Sequence, residues 1–319
     1  MTPRSLPPDA VARFAADLRA LLPDAEGIGL AVSGGPDSLA LLLLAAAALP
    51  GRVAAATVDH GLRPEAAAEA DFVGAICAEL GVPHAILRAI VPPGASVQAQ
   101  ARAARYEALA GWARADGLRA MLTAHHQDDQ AETLAMRLAR GAGIGGLAGI
   151  RAGSEISGLL VCRPLLGWRR AALRALVEQA GLRPVADPSN EDERYDRVRM
   201  RRDLAEAHWL DPAALARSAA ALAEAEQALD WAAERLEAER VREEGGGLRL
   251  DPSGLPPELL RRLLLRCLSR IDPGGAPRGA QVTALLATLR EGGKTTLGRA
   301  LCRGGTDYRF APAPPRRRG

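Results

Sequence analysis

An α/β fold with a parallel sheet, followed by a smaller helical domain, is the fold class that this 319-residue chain predicts. Three observations predict it. Between residues 28 and 161, short apolar runs alternate with longer amphipathic stretches, the pattern of successive βαβ units. A Ser33-Gly34-Gly35 bend sits directly between the first apolar run and the first helical stretch. Beyond residue 203 the composition turns to alanine, leucine, glutamate and arginine with helical periodicity. A chain of this length carries roughly two domains, so the expected division is 1–203 and 204–319.

The elements follow in order. Strands are expected at 28–32, 53–58, 84–90 and 119–123, separated by helices at 38–49, 65–80 and 97–116. Right-handed crossovers bring the carboxyl ends of these strands to one edge, where open α/β sheets bind ligands. A further helix is expected at 128–140. The stretch 140–150, R-G-A-G-I-G-G-L-A-G-I, is too rich in glycine for regular structure and reads as a loop. A strand at 159–163 and an amphipathic helix at 168–180 come next, the helix stopping at Gly181. In the second domain, helices are expected at 212–244 and 257–270. From Asp272 onward the chain is rich in glycine and proline, and its end at Arg316, Arg317 and Arg318 is expected to be a mobile tail.

Composition narrows the function classes. Hydrophobic residues make up 48% and charged residues 25%, as in an ordinary globular protein, so a disordered or fibrous chain is excluded. With 3% aromatic residues, the core must be aliphatic. The formal net charge of +3 permits a polyanionic partner without demanding one. Cys77, Cys162, Cys267 and Cys302 form no C-x-x-C pair, which argues against a zinc ribbon, a redox pair or a disulfide framework and for reduced thiols in a cytosol. The start, broken by prolines and acids, lacks the pattern of a secretory signal. The longest apolar stretch, 39–50, is shorter than the roughly 20 residues of a membrane span.

The segment from Ser33 through Gly34, Gly35, Pro36 and Asp37 to Ser38 joins a strand to a helix N-terminus. Backbone N–H groups of such a bend and the positive end of the helix dipole form an anion cradle. No lysine follows the glycines, so this is not a Walker A loop. The run Gly292-Gly-Lys294-Thr-Thr296 is not one either, because Thr288 stands where the first Walker glycine belongs. Asp37 beside phosphates would repel them unless a divalent cation lay between, so Asp37 is assigned to Mg2+. The plainer alternative is a β-to-α turn with Asp37 as an acid of the first helical turn.

A second set of polar residues falls at the same edge. Asp59-His60-Gly61-Leu62 ends the second strand, and 123–133, T-A-H-H-Q-D-D-Q-A-E-T, ends the fourth. On the following helix Asp129 and Glu132 are three residues apart and share a face, a pair suited to a cationic substrate. Asp128 and Asp129 could instead simply start that helix, which leaves the paired His125 and His126 unexplained. The H-E-x-x-H spacing of a zinc hydrolase is absent. Arg102 and Arg105 share one helix face, and Arg105 could supply the positive charge that a phosphate loop without lysine lacks.

S-G-G-P-D-S after a strand resembles the PP-loop of the N-type ATP pyrophosphatases, which split ATP into AMP and pyrophosphate. Together with D-H-G-L, A-R-A-A-R-Y, H-H-Q-D-D-Q-A-E-T, the glycine-rich 140–150 and R-P-L-L, it resembles the tRNA(Ile)-lysidine synthetase family over residues 29–201. The segment from Asp187 to Asn190, with Arg194, Arg197, Arg199, Arg201 and Arg202, is similar to the family's arginine-rich linker, although Val198 stands where the commoner pattern has asparagine. The resemblance implies an adenine nucleotide alpha hydrolase-like fold and a cytoplasmic ligase. It implies ATP and Mg2+ as cofactors, and tRNA(Ile) with a CAU anticodon and free L-lysine as partners. It implies no membrane association, and it leaves a homodimer as one expected assembly. In these terms Ser33 to Ser38 hold the phosphates, Arg105 steadies the phosphoryl charge, and Asp129 and Glu132 grip lysine. His125 is a candidate for helping to deprotonate the lysine amine. Arg197, Arg199 and Arg201 alternate, so some are expected to face tRNA phosphates. The nearest alternative is a tRNA thiolase of the same class, which would use paired cysteines that this chain lacks.

Overall fold

The computed structural model describes residues 6–24, 26–59, 66–89, 97–185 and 196–314, with the backbone alone for 97–99. His60, Gly61 and Leu62, the segment 187–190 with Arg194, and Arg316 to Arg318 lie outside the described residues. Two compact units divide after Ala223.

The first unit opens with α1 (Pro8–Leu21) and then alternates β1 (Ile28–Ala31), α2 (Pro36–Ala48), β2 (Val53–Asp59), α3 (Ala66–Leu80), β3 (His84–Arg88), α4 (Val97–Ala115), β4 (Ala120–Leu122) and α5 (Gln127–Leu138). One helical turn, α6 (Ile144–Leu147), precedes the hairpin β5 (Gly153–Ile156) and β6 (Leu159–Cys162). Next come α7 (Arg170–Gln179), α8 (Asp196–Glu206) and the long α9 (Pro212–Arg240), within which the unit boundary falls. The sheet order is β3-β2-β1-β4-β6-β5, and every pairing is parallel except that of β5 with β6. Strand order reverses at β1, so the gap between the carboxyl ends of β1 and β4 is the switch point at which such sheets bind ligands.

Burial explains why these segments read as they do. Residues 39–45 of α2 are all 2% exposed or less, which is why that helix is apolar around its whole circumference and shows no amphipathic period. Leu30 of β1 lies opposite Ala55 of β2 and Leu122 of β4, and all three are fully buried. α7 shows a strong apolar stripe through Leu173, Leu176 and Val177 and ends where Gly181 takes a φ of 68°, as its sequence predicts.

The glycine-rich 140–150 segment is more ordered than a loop. The Gln130 amide on α5 accepts the Ile150 N–H (2.6 Å) and donates to the Ile150 carbonyl (2.7 Å), and Arg137 donates to the carbonyls of Gly146 and Gly149 (2.5 and 3.0 Å). Gly149 has a φ of 65°, and a Cβ there would run into the Gln130 amide oxygen, so this position needs glycine.

The second unit is partly a sheet. The helix expected to reach 244 stops at Arg240, and β7 (Val241–Glu244) turns through Gly245 and Gly246 into β8 (Gly247–Leu250). Both turn glycines have positive φ, 59° and 75°, as a tight two-residue hairpin demands. After α10 (Pro257–Ile271), the chain from Asp272 onward is not a loose tail. It forms α11 (Gly279–Arg290), β9 (Lys294–Leu297), β10 (Ala300–Arg303) and β11 (Tyr308–Pro312), giving an antiparallel sheet in the order β7-β8-β11-β10-β9. Strands of four or five residues give too few alternations for the period to register. Their core, around Leu250, Leu263, Cys267, Leu289 and Phe310, is separate from that of the first unit. Among the described residues, no helix is long and apolar enough to cross a membrane.

Candidate active site

Beyond β1, Val32 still donates to the Ala56 carbonyl (2.9 Å), and the chain then bends into α2, which opens on Pro36, a residue whose fixed φ suits a first helical position. Gly34 has a φ of 82°, and a Cβ there would stand 3.3 Å from Val185 and 3.4 Å from Val73. Its carbonyl accepts the Val185 N–H (3.1 Å), so residues 33–35 are held from both sides. Buried Ser38 braces the bend: its hydroxyl accepts the Ser33 N–H (3.1 Å) and donates to the Gly35 carbonyl (2.9 Å). The loop is thus shaped before any ligand arrives, with the N–H groups of the first helical turn left for an anion.

Across the switch point, α5 begins with a capping box. His126 is its N-cap: its ring Nδ1 accepts the Asp129 N–H (3.2 Å), and its own N–H donates to Asp129 Oδ2 (2.9 Å). Since a backbone N–H can only donate, the neutral ring carries its proton on Nε2, which faces Asp37 Oδ2 at 3.4 Å. Burial opposes a charge on this ring. The Asp37 contact and the carboxylates of Asp129 and Asp128 outweigh it, so the imidazole protonates above its ordinary range. Asp128 is a structural acid. It accepts the Arg170 N–H (2.8 Å) and the Arg169 guanidinium (3.1 and 3.3 Å), fastening α5 to the start of α7.

Asp129 and Glu132 do share a face, and arginines already sit on it. Arg197 of α8 donates to Asp129 Oδ1 and Glu132 Oε2, both at 2.7 Å, and Arg201 donates to Glu132 Oε1 at 2.7 Å. Burial would raise the Glu132 carboxyl, but the hydrogen bonds from Arg201 and Arg197 outweigh it and hold the group below the usual range. Arg199 points elsewhere and pairs with Asp196 at 2.5 Å on the exposed side. Of the three arginines expected at tRNA phosphates, therefore, Arg197 and Arg201 turn into the site and only Arg199 faces outward.

A crevice of about 590 Å³ opens between these walls. Ser33, Gly35, Pro36, Asp37 and Ser38 line one side, and Arg105, His125, Asp129, Arg197 and Arg201 line the other. That volume suits a nucleotide-sized ligand. Glu132 is 3% exposed and is not among the lining residues. Arg105 and Arg102 both lie by the ring of buried Tyr106 (5.4 and 5.0 Å), but Arg105 alone of the two lines the crevice. From the sequence, His126 is weighed only as a possible metal ligand beside His125, Asp128 and Asp129, and no individual role is given to Arg163, which is 4% exposed and donates to the Arg151 carbonyl (2.7 Å) and to Ser154 (2.9 Å). The His126-to-Asp129 spacing of a capping box was the signal for the first. The second lies in the R-P-L-L string, which carries the resemblance without indicating what the arginine contacts.

Asp37 fits the divalent cation assigned to it. Its Oδ1 is buried without a hydrogen-bond partner, while Oδ2 faces His126. Among the described residues no three His, Cys, Asp or Glu side chains converge as a metal cage. One carboxylate completed by substrate phosphates is the usual protein share of a Mg2+ site.

His125 accepts or donates one hydrogen bond with Thr123 (2.9 Å). Burial, followed by the charges of Arg163, Arg102, Arg197 and Arg105, pushes its ring down to about 3 from 6.5. Between those values the unfolded chain binds a proton that the folded chain refuses, so stability falls as pH drops through 6.5. Relative to the wild type, His125→Asn is expected to gain roughly 1 kcal/mol of stability per pH unit below 6.5. Urea unfolding of both proteins at pH 7.5 and pH 5 checks this, and an unchanged difference between them would mean that the folded ring is not held neutral.

A family model described as a PP-loop domain matches residues 10–208. A tRNA(Ile)-lysidine synthase of Novosphingobium aromaticivorans is 51% identical over 313 residues, covering 97% of this chain and 95% of that protein. The chain belongs to the tRNA(Ile)-lysidine synthase family. A second relative of that name, from Zymomonas mobilis, is 46% identical over 91% of this chain and 90% of its own length. Among solved structures, the U34-tRNA thiolase NcsA of Methanococcus maripaludis matches with a TM-score of 0.55 at 15% identity, over 69% of this chain and 78% of that one, a likeness of fold. Membership of this PP-loop family brings ATP use with it.

Proposed function

We propose that the chain ligates lysine to C2 of the wobble cytidine in tRNA(Ile) with a CAU anticodon, consuming ATP and releasing AMP and pyrophosphate. The observation that carries this reading is the match of nearly the whole chain to relatives of that name. Expelling an oxygen from a cytosine ring unaided is slow, so it must first become a leaving group. The C2 oxygen attacks the α-phosphorus of ATP, breaking the bond to pyrophosphate. The lysine ε-amine then attacks C2 and expels AMP, giving up its proton.

In this reading the bend at Ser33 to Ser38 aligns the triphosphate, and Arg105 steadies the charge that grows on the α-phosphoryl group. Asp37 would hold Mg2+, which offsets phosphate charge when bound. Asp129 and Glu132 would receive the cationic end of L-lysine, adding it beside Arg197 or exchanging it for that side chain. Arg199 is left to meet tRNA phosphates. His125 is better suited to hydrogen-bonding as a neutral ring than to taking the lysine proton. Moving a proton from an amine of pKa near 10.4 to a ring titrating near 3 would cost on the order of 10 kcal/mol. A tRNA substrate puts the enzyme in the cytoplasm.

The thiolase alternative lacks its nucleophile. All four cysteines are buried, and burial pushes the Cys77 thiol up to about 11 and those of Cys267 and Cys302 up to about 12. Incubation with ATP, radiolabelled lysine and a CAU-anticodon isoleucine transcript is expected to label the RNA and yield AMP. Formation of ADP, or no label with active ATP turnover, would overturn the reading.

A further inference from the structure

His126 is an unusual choice for a helix N-cap. Asn, Asp, Ser and Thr accept a backbone N–H better at that position and serve it most often. What a histidine adds is a second ring nitrogen on the far side of the ring, which the cap does not need. Here that nitrogen, Nε2, faces Asp37 Oδ2 from a side chain that is 2% exposed. The orientation is not adjustable. The Asp129 N–H occupies Nδ1, the His126 N–H engages Asp129 Oδ2, and Asp129 Oδ1 is in turn held by Arg197. A donor fixed on one oxygen of Asp37 orients that carboxylate and leaves Oδ1, buried and unpartnered, as its open acceptor.

We propose that His126 is a positioning residue, held by the α5 capping box between Asp129 and Asp37, which fixes the Asp37 carboxylate for the cation that accompanies the nucleotide. The proposal rests on the ATP-dependent reading above, and it makes the capping box the physical link between the nucleotide half of the crevice and the carboxylates of its other half. His126→Asn keeps an acceptor for the Asp129 N–H and loses the donor to Asp37. His126→Gln extends an amide donor toward Asp37 and loses the cap.

The test is calorimetric binding of a non-hydrolysable α,β-methylene ATP analogue over a Mg2+ titration, with thermal unfolding and steady-state lysine KM on the same proteins. His126→Asn is expected to unfold within about 2 °C of the wild type. It should need about tenfold more Mg2+ for the same analogue affinity and keep lysine KM within about twofold. His126→Gln is expected to recover most of that Mg2+ dependence while unfolding a few degrees lower. Wild-type Mg2+ dependence in His126→Asn would overturn the proposal. Should that variant not fold, a His126→Gln that folds and binds the analogue no better than Asp37→Ala does would overturn it equally. The binding arm uses neither tRNA nor lysine, so failure of the wild type to label the transcript would sink the lysine ligation reading while leaving this result standing.

Discussion

Replacing Asp37 by alanine is expected to lower AMP and pyrophosphate formation by about 10²–10³-fold, the loss seen when a group placed at developing charge is deleted. The position is not a packing one. Its side chain is 27% exposed, it lies in the first turn of α2, and the loop before it is braced by Ser38 and Val185, which the substitution leaves in place. An acid in a first helical turn stabilises a helix by at most about 1 kcal/mol at such exposure, so the folded protein should survive with a Tm within a few degrees. In the proposed reading the substitution would remove the carboxylate assigned to the cation, and among the described residues Arg105 and the loop N–H groups would be left to offset the phosphate charge. Pyrophosphate release with the tRNA transcript measures the effect, and a variant at full rate would remove Asp37 from the reaction. A variant that folds but binds the ATP analogue regardless of Mg2+ is the expected companion result.

How far the site was legible in the sequence depends on how local its signals are. The bend at Ser33 to Ser38, the pair Asp129 and Glu132, and the stop at Gly181 each follow from a few neighbouring residues, and each falls where its spacing puts it. That β1 to β4 run parallel with their carboxyl ends at one edge follows from the βαβ pattern, which is why residues some ninety positions apart could be assigned to that edge, whereas the order β3-β2-β1-β4 is set by long-range pairing that no local signal carries. Contacts between distant segments were not legible. Arg197 and Arg201 read as a basic linker because nothing around them reveals that α8 meets the acidic face of α5. His125 read as a base because four arginines from α4, α8 and the end of β6 act on it only in the fold. In the second unit, four-residue strands such as β9 and β10 carry too few residues for a period, and Val241 to Glu244 continues the composition of the helix before it.

Glu132→Gln is expected to raise lysine KM by about 10- to 100-fold, the worth of one charged hydrogen bond, while ATP analogue affinity changes little. The reason lies in how the carboxylate is held. It is 3% exposed, yet ionised, because Arg201 and Arg197 each place an Nε 2.7 Å from one of its oxygens. Glutamine keeps the shape and one acceptor oxygen but turns its amide N–H toward one of the two guanidiniums, and as a charged partner Arg197 keeps Asp129 alone. Breaking a fully buried ion pair costs about 3–5 kcal/mol, but the side chains of Arg197 and Arg201 are 41% and 30% exposed and can turn to water. The stability loss should therefore be about 1–2 kcal/mol, or about 2–6 °C in Tm. Acid should narrow the difference. A carboxyl held below its ordinary value of 4.5 contributes stability that is complete above that pH and is lost as pH falls through the folded-state value. The variant's deficit should thus shrink below pH 4.5, read as converging urea midpoints at pH 7 and pH 3.5. A deficit equal at both pH values would mean that the Glu132 charge does not hold α8 against α5, and an unchanged lysine KM would remove Glu132 from the lysine site.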